Sequence, residues 1–253
     1  SEIAARLDVA PSAAHRLLST LVEHGWVVQD PDSQNYALSL RMSTLAFRNL
    51  DGRNVPDVVQ SALNKLARTT QEYCRLAILE GEDLVWVARA QGAVSGLRYD
   101  PDMGQEIVLH ATANGKAWLA SLPEEQALSI VYSRGFSANR VLGPNSARSV
   151  DDLRARLTET RDQGFGVSEE EAETGTSALA VTFRSGADAS APIAGTISIA
   201  GPSVRIQRDR WPELVEALRT TSEEISALWP LRMRQRNSSH VFARNDLPNE
   251  LPE

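Results

Sequence analysis

Four histidines, one cysteine and a run of glutamates are the residues of this sequence whose types suit catalysis. His110 with Glu169, Glu170, Glu171 and Glu173 would supply a general base and paired carboxylates, the working parts of a hydrolase. No nucleophile elbow accompanies them, because in Gly164-Phe165-Gly166-Val167-Ser168 the serine falls too late. His110 lies between a strand-like and a helix-like segment, which suits a structural residue, and the glutamates suit a solvated charged turn. His15, His24, His110 and His240 are scattered and Cys74 stands alone, so no metal-ligand spacing appears. Gly115-Lys116 lacks the upstream glycine of a phosphate-binding loop. The expectation is no catalytic residue, no metal and no cofactor.

A different chemistry is written near the start. Ser12, Ala13, His15, Arg16, Ser19 and Thr20 fall on one face of a helix whose other face carries Ala14, Leu17, Leu18, Leu21 and Val22. Small residues at a helix N-terminus let the backbone enter a major groove, and His15 and Arg16 supply donors for phosphates and base edges. Residues 1–50 carry four arginines against five acids, so bulk charge cannot hold DNA there and a few placed contacts must.

The elements that position these residues follow from period and punctuation. Ile3, Ala4 and Leu7 share a helix face, Val9-Ala10-Pro11 breaks it, and Pro11 opens the second helix, which Gly25 ends. Trp26-Val27-Val28 and Tyr36-Ala37-Leu38 flank the polar turn 30–35 as a hairpin. Helix, turn, helix, hairpin is the order of a winged helix-turn-helix over residues 1–40. Met42, Leu45, Ala46 and Leu50 predict a linker helix over 41–54, and Val55, Val58, Val59, Ala62, Leu63, Leu66 and Ala67 form the stripe of the next helix.

From Tyr73 the period changes to two. Strands are expected over 74–79 and 83–88, with shorter ones at 97–99 and 106–109. Helices are expected over 114–121, from Pro123, from the capping box at Ser149 through Asp162, and from Pro212. Residues 177–183 and 193–200 read as the central strand pair. Residues 55–230 are thus an α+β domain with a mostly antiparallel sheet and flanking helices, and 231–253 a tail.

Three separated motifs carry a resemblance. Ser1-Glu2-Ile3-Ala4 followed by Ser12-Ala13-Ala14-His15-Arg16-Leu17-Leu18-Ser19-Thr20-Leu21 resembles the DNA-binding signature of the IclR family of bacterial transcriptional regulators. Leu109-His110-Ala111-Thr112-Ala113-Asn114-Gly115-Lys116-Ala117 resembles its mid-domain motif. Gly164-Phe165, Glu169-Glu170-Glu171, Gly175 and Ile197-Ser198-Ile199-Ala200-Gly201-Pro202 resemble its C-terminal segments. The resemblance covers about residues 1–230. It implies an N-terminal winged helix that binds operator DNA, a GAF-like domain that binds an effector, and a homodimer or tetramer. It also implies a further helix ahead of residue 1. Ala13 stands where many members carry threonine, which removes one possible phosphate contact.

The resemblance places the effector against the sheet, at Ala113, Asn114, Ser168, Ala178, Ser198 and Ala200. Ala178 and Ala200 are apolar and Ser168 replaces an acid, so the wall favours a less polar ligand, an aromatic acid. Trp86, Tyr99, Trp118, Phe165 and Phe183 are either core or cavity wall, and Arg89 or Arg98 would meet a carboxylate if they are not plain surface arginines.

Composition excludes other classes. Of 253 residues 42% are apolar and 23% charged, ordinary for a globular chain. The net charge of −7 is wrong for a bulk polyanion binder. No run approaches 18 apolar residues, no leader is evident, and the lone Cys74 fits a reducing compartment, so a cytoplasmic regulator without enzymatic activity is expected. The rival readings are a hydrolase built on His110 and the Glu169–Glu173 cluster, and a protein-interaction module that uses the helix-turn-helix for docking.

Overall fold

In the computed structural model of the chain, residues 2–45, 55–102, 104–136 and 141–230 are described. They fall in two units, Ser1–Arg53 and Asn54–Glu253. Residues 46–54 of the linker helix expected over 41–54, the side chains of Val55 and Val58, and the tail 231–253 lie outside the described residues; residues 40–45 are helical.

In the first unit, α1 (Glu2–Leu7) stops at Asp8, whose φ of 51° is left-handed. Helix α2 (Pro11–Glu23) opens on proline, whose missing N–H costs nothing in a first turn. Strands β1 (Val27–Gln29) and β2 (Tyr36–Leu38) pair antiparallel, Val27 opposite Leu38. One Asp30 oxygen closes their turn by accepting from the Ser33 amide, the Ser33 hydroxyl and the Asp32 amide. Those bonds hold the Asp30 carboxyl below its usual range. Arg41 ties the hairpin to the helix end: it stacks 4.9 Å above Trp26 and donates to the His24 carbonyl at 2.7 Å.

The predicted inner face of α2 is only partly buried. Ala14 is buried and Leu18 half-buried, but Leu17, Leu21 and Val22 are exposed. The reason is length: a six-residue α1 runs about 9 Å and cannot cover a thirteen-residue helix of about 20 Å.

The second unit is one antiparallel sheet between two helical layers. Its strands are β3 (Tyr73–Glu80), β4 (Asp83–Gln91), β5 (Gly166–Glu169), β6 (Thr176–Arg184) and β7 (Ile193–Pro202), in the order β4-β3-β7-β6-β5. Helices α3 (Val55–Thr70) and α7 (Trp211–Leu228) cover one face. There Leu63, Leu66, Leu214 and Leu218 bury Leu76, Leu179, Ile197 and Ile199, each worth about 1.5–3 kcal/mol relative to exposure. Helices α4 (Ala113–Leu119), α5 (Glu124–Arg134) and α6 (Val150–Gln163) lie on the other side, around Leu109, Trp118, Ile130, Leu153 and Leu157. Ser149 caps α6 by accepting from the Asp152 amide, and Gly164 ends it at φ 78°.

Two expected strands are absent. Residues 97–99 and 106–109 belong to a segment between β4 and α4 with no helix or strand among its described residues. Its apolar residues, Ile107 and Leu109, are buried by helices rather than by strand pairing, which a short apolar run cannot distinguish.

Candidate functional site

Two surfaces hold the residues that sequence singled out. On α2, Ser12, His15, Arg16, Ser19 and Thr20 are all exposed, and Ala13 is half-buried beside them. The Thr20 hydroxyl donates back to the Arg16 carbonyl at 3.0 Å, and Ser19 pairs with His15 Nδ1 at 3.2 Å. The helix start has no side-chain cap and no acid in its first turn, so its positive end is open to an anion.

In the second unit, Ser168, Ala178 and Ala200 stand in register across β5, β6 and β7, and the row continues to Tyr73 and Gln91. The neighbouring row runs Gly166, Ala180, Ser198, Arg75, Arg89. Both rows face α4, because the alternating residues Leu179, Ile197 and Ile199 are spent on α3 and α7. Helix α4 packs on the β5–β6 half of this face, with Ala113 and Ala117 against Ala178 and Ala180. Gly166 permits the approach: a Cβ there would lie 2.2 Å from the Ala113 carbonyl oxygen. Asn114 Nδ2 donates to Thr196 Oγ1 at 2.9 Å, and the Ser168 hydroxyl donates to the Ala111 carbonyl at 2.8 Å. The six residues expected at the ligand thus lie along one sheet face and the helix above it, five of them buried and Ala178 half-buried.

The aromatic candidates divide. Phe183 packs with Trp229 and Phe165 with Trp211, both on the α3–α7 side, so neither reaches the α4 face. Trp118 is core. Trp86 and Tyr99 remain: Tyr99 meets Tyr73 edge-on at 5.9 Å, and Trp86 lies under Arg75. Arg98 is exposed, and the exposed Arg89 pairs with Asp100 at 3.6 Å. Arg75, which sequence reasoning passed over as one residue of an apolar strand, is the buried cation of this face.

The supposed hydrolase residues have other occupations. Glu171 is buried, 2.5 Å from Lys116 Nζ and 3.0 Å from Arg156, which corrects the reading of 169–173 as a solvated turn. Its sequence neighbour Glu169 pairs with Arg208, and Glu173 is exposed. His110 is buried against Phe136 at 5.1 Å with no hydrogen-bond partner on Nε2. Burial, then the nearby Lys116 charge, hold its pKa below the ordinary 6.5. No group of three His, Cys, Asp or Glu suited to a metal occurs among the described residues.

A family model described as "Bacterial transcriptional regulator IclR C-terminal" matches residues 47–227, and the "IclR helix-turn-helix domain" matches residues 1–31. The chain belongs to the IclR family. Its IclR relatives include the HTH-type transcriptional regulator KdgR of Dickeya chrysanthemi, 29% identical over 89% of this chain and 72% of that protein. An IclR transcriptional regulator from Alicyclobacillus acidocaldarius superposes with a TM-score of 0.74 at 26% identity, over 90% of this chain and 89% of that one. An IclR homolog from Microbacterium hydrocarbonoxydans, solved in complex with 4-hydroxybenzoate, has the same fold: TM-score 0.67, 22% identity, 90% and 89% covered. No helix among the described residues is long and apolar enough to cross a membrane.

Proposed function

We propose that this IclR-family chain is an effector-responsive transcriptional regulator. Residues 1–40 are its DNA-binding domain, 41–54 its linker helix, 55–230 its effector-binding domain and 231–253 a tail. The observation that carries the DNA reading is the outer face of α2, where Arg16, His15, Ser12, Ser19 and Thr20 are exposed together beside an uncapped helix start. Arg16 is the base-reading residue, and Ser12 with the helix N-terminus meets phosphate. A near-neutral unit needs two copies of these contacts, so the working form is a homodimer or tetramer on double-stranded operator DNA, in the cytoplasm.

The effector is a small aromatic acid held on the α4 face at Ala113, Asn114, Ser168, Ala178, Ser198 and Ala200. The alanines and serines in register present few donors, which suits a flat, largely apolar molecule. Binding shifts the protein between DNA-competent and incompetent arrangements by no more than the ligand's differential affinity for them. The chain carries no enzymatic activity in this reading, since Glu171 and Glu169 are held in ion pairs.

Gel-shift with the gene's own upstream region, with and without a panel of aromatic acids, tests the proposal. A shift that an acid reverses or strengthens supports it. Failure to bind that region, or turnover of generic esters, counts against it.

A further inference from the structure

The sheet of the second unit ends at β4, and the two halves of that edge differ. A register shift between Leu76 and Ala77 divides them. Beyond the shift α3 covers the edge, where Gln60 Nε2 donates to the Arg89 carbonyl at 2.9 Å. Before it the edge borders a groove of about 480 Å³, with residues 83–86 as one wall and 104–107 as the other. The second wall is not a strand, so it does not continue the ladder.

Backbone alternation decides which groups face this groove. Gly81-Glu82 is a two-residue turn with Gly81 at φ 64°, so Glu80 and Asp83 form a bonded pair. Outward N–H and C=O groups then fall on Leu84 and Trp86. An open edge of this kind is a template for one more strand. Val85 is 42% exposed and Trp86 half-buried, so the wall is apolar. The rim is acidic: Glu80, Glu82, Asp83 and Glu106 are exposed, and the neighbouring Arg134 is already spent on Asp83.

The chain carries a segment of complementary make-up within reach. Residues 231–244 hold Arg232, Arg234, Arg236 and Arg244 and no acid, with Val241 and Phe242 as β-favouring residues near their end. Helix α7 delivers this segment to the right end of the sheet. Trp229, directly after α7, packs on Phe183 with ring centres 4.8 Å apart. Phe183 stands opposite Gly195, Gly195 opposite Ile78, and Ile78 opposite Val85. One row of the sheet thus runs from Trp229 to the groove, three strand spacings or about 14 Å. Residues 230–239 span about 30 Å when extended, ample for that crossing.

We propose that the groove receives residues 240–244 of the same chain as a sixth strand on the edge of the sheet. Their backbone pairs with the outward groups of Leu84 and Trp86. Phe242 takes the face of Trp86, and Val241 and Ala243 take the face of Val85. Arg232, Arg234 and Arg236 pass the carboxylates of the hairpin tip on the way. The added strand hides the edge of β4 from the sheets of other molecules.

Hydrogen exchange of the full chain, followed by NMR at the Leu84 and Trp86 amides, tests this. In wild-type protein both amides are expected to exchange at least about tenfold more slowly than in Phe242→Asp. A cooperative melt confirms that the variant is folded. A second measurement combines Val85→Cys with Val241→Cys or Ala243→Cys under mild oxidation, while Cys74 is buried and stays out of the reaction. A disulfide within one chain is expected, since paired strands bring Cα atoms within bridging distance. Equal exchange in wild-type protein and Phe242→Asp overturns the proposal. So does a disulfide that forms only between chains, with protection that fades on dilution, because a second copy is then the occupant.

Discussion

Lys116 on α4 and Glu171 beyond β5 form an ion pair of 2.5 Å in which both side chains are almost wholly buried. Burial pushes the Glu171 carboxyl up and the Lys116 ammonium down, and their mutual attraction works against both shifts. Arg156 adds a second cation 3.0 Å from Glu171. The pair anchors α4 to the loop between β5 and β6, and so fixes the helix that carries Ala113 and Asn114. Glu171→Ala would leave Lys116 as an uncompensated buried cation. We expect a loss of about 3–5 kcal/mol, and a smaller loss when Lys116→Met is combined with Glu171→Leu. Urea unfolding of the three proteins measures it; a single-variant loss under about 1 kcal/mol would remove the pair from its anchoring role.

His110 makes stability depend on pH in a definite direction. Its folded pKa lies below the ordinary 6.5, so the unfolded chain binds the proton first. Its contribution is complete above about pH 6.5 and is lost as pH falls toward the folded value. The slope from this group cannot exceed about 1.4 kcal/mol per pH unit. Thermal melts from pH 7.5 down to 5.5 should show a steeper loss in wild-type protein than in His110→Phe. Parallel profiles would refute the assignment.

Arg16 tests the DNA face. Arg16→Ala is expected to weaken operator binding by about 1–3 kcal/mol and to relax specificity at one base position. Stability should change by no more than about 0.5 kcal/mol, as for other exposed sites. A loss that is uniform over sequences, with a shallower salt slope, would make Arg16 a phosphate contact instead. No loss would exclude α2 as the recognition helix.

Ala200 tests the ligand face. It is buried opposite Ala178 on one side and Tyr73 on the other. Phenylalanine there should occupy the proposed ligand position at about 1–3 kcal/mol of overpacking. A ligand at 100 times its Kd stabilises its receptor by about 2.7 kcal/mol. That increment, read by differential scanning calorimetry with an aromatic acid, should vanish in Ala200→Phe while operator binding stays.

Gly166 tests how closely α4 must sit. A Cβ at this position would meet the Ala113 carbonyl oxygen at 2.2 Å and the Ala117 amide nitrogen at 2.8 Å. Both obstacles are backbone, so the helix has to move. Gly166→Ala should cost about 1–3 kcal/mol, where an exposed strand glycine would gain from the same change. A neutral result in chemical denaturation would mean that α4 is not pinned to β5.

What the sequence determined by itself was local. Period and punctuation placed α2, the hairpin, β3, β4, β6, β7 and α7, because a cap, a proline or an alternation acts within a few residues. The Ser149 cap and the opposite facing of Ser198 and Ile199 were legible for that reason. Its motifs also carried the family, which the matches over 1–31 and 47–227 bear out. Tertiary structure decided the rest. Lys116 and Glu171 are 55 positions apart, and no local rule joins them. Residues 106–109 have a strand-like composition, yet helices α4 to α6 bury Ile107 and Leu109 without pairing their backbone. Trp86 reaches Arg75 only through a bulge, and one extra residue in a strand inverts which face a side chain takes. Burial of a charge depends on every element packed around it, and Arg75 in its strand sequence carries no mark of its neighbours.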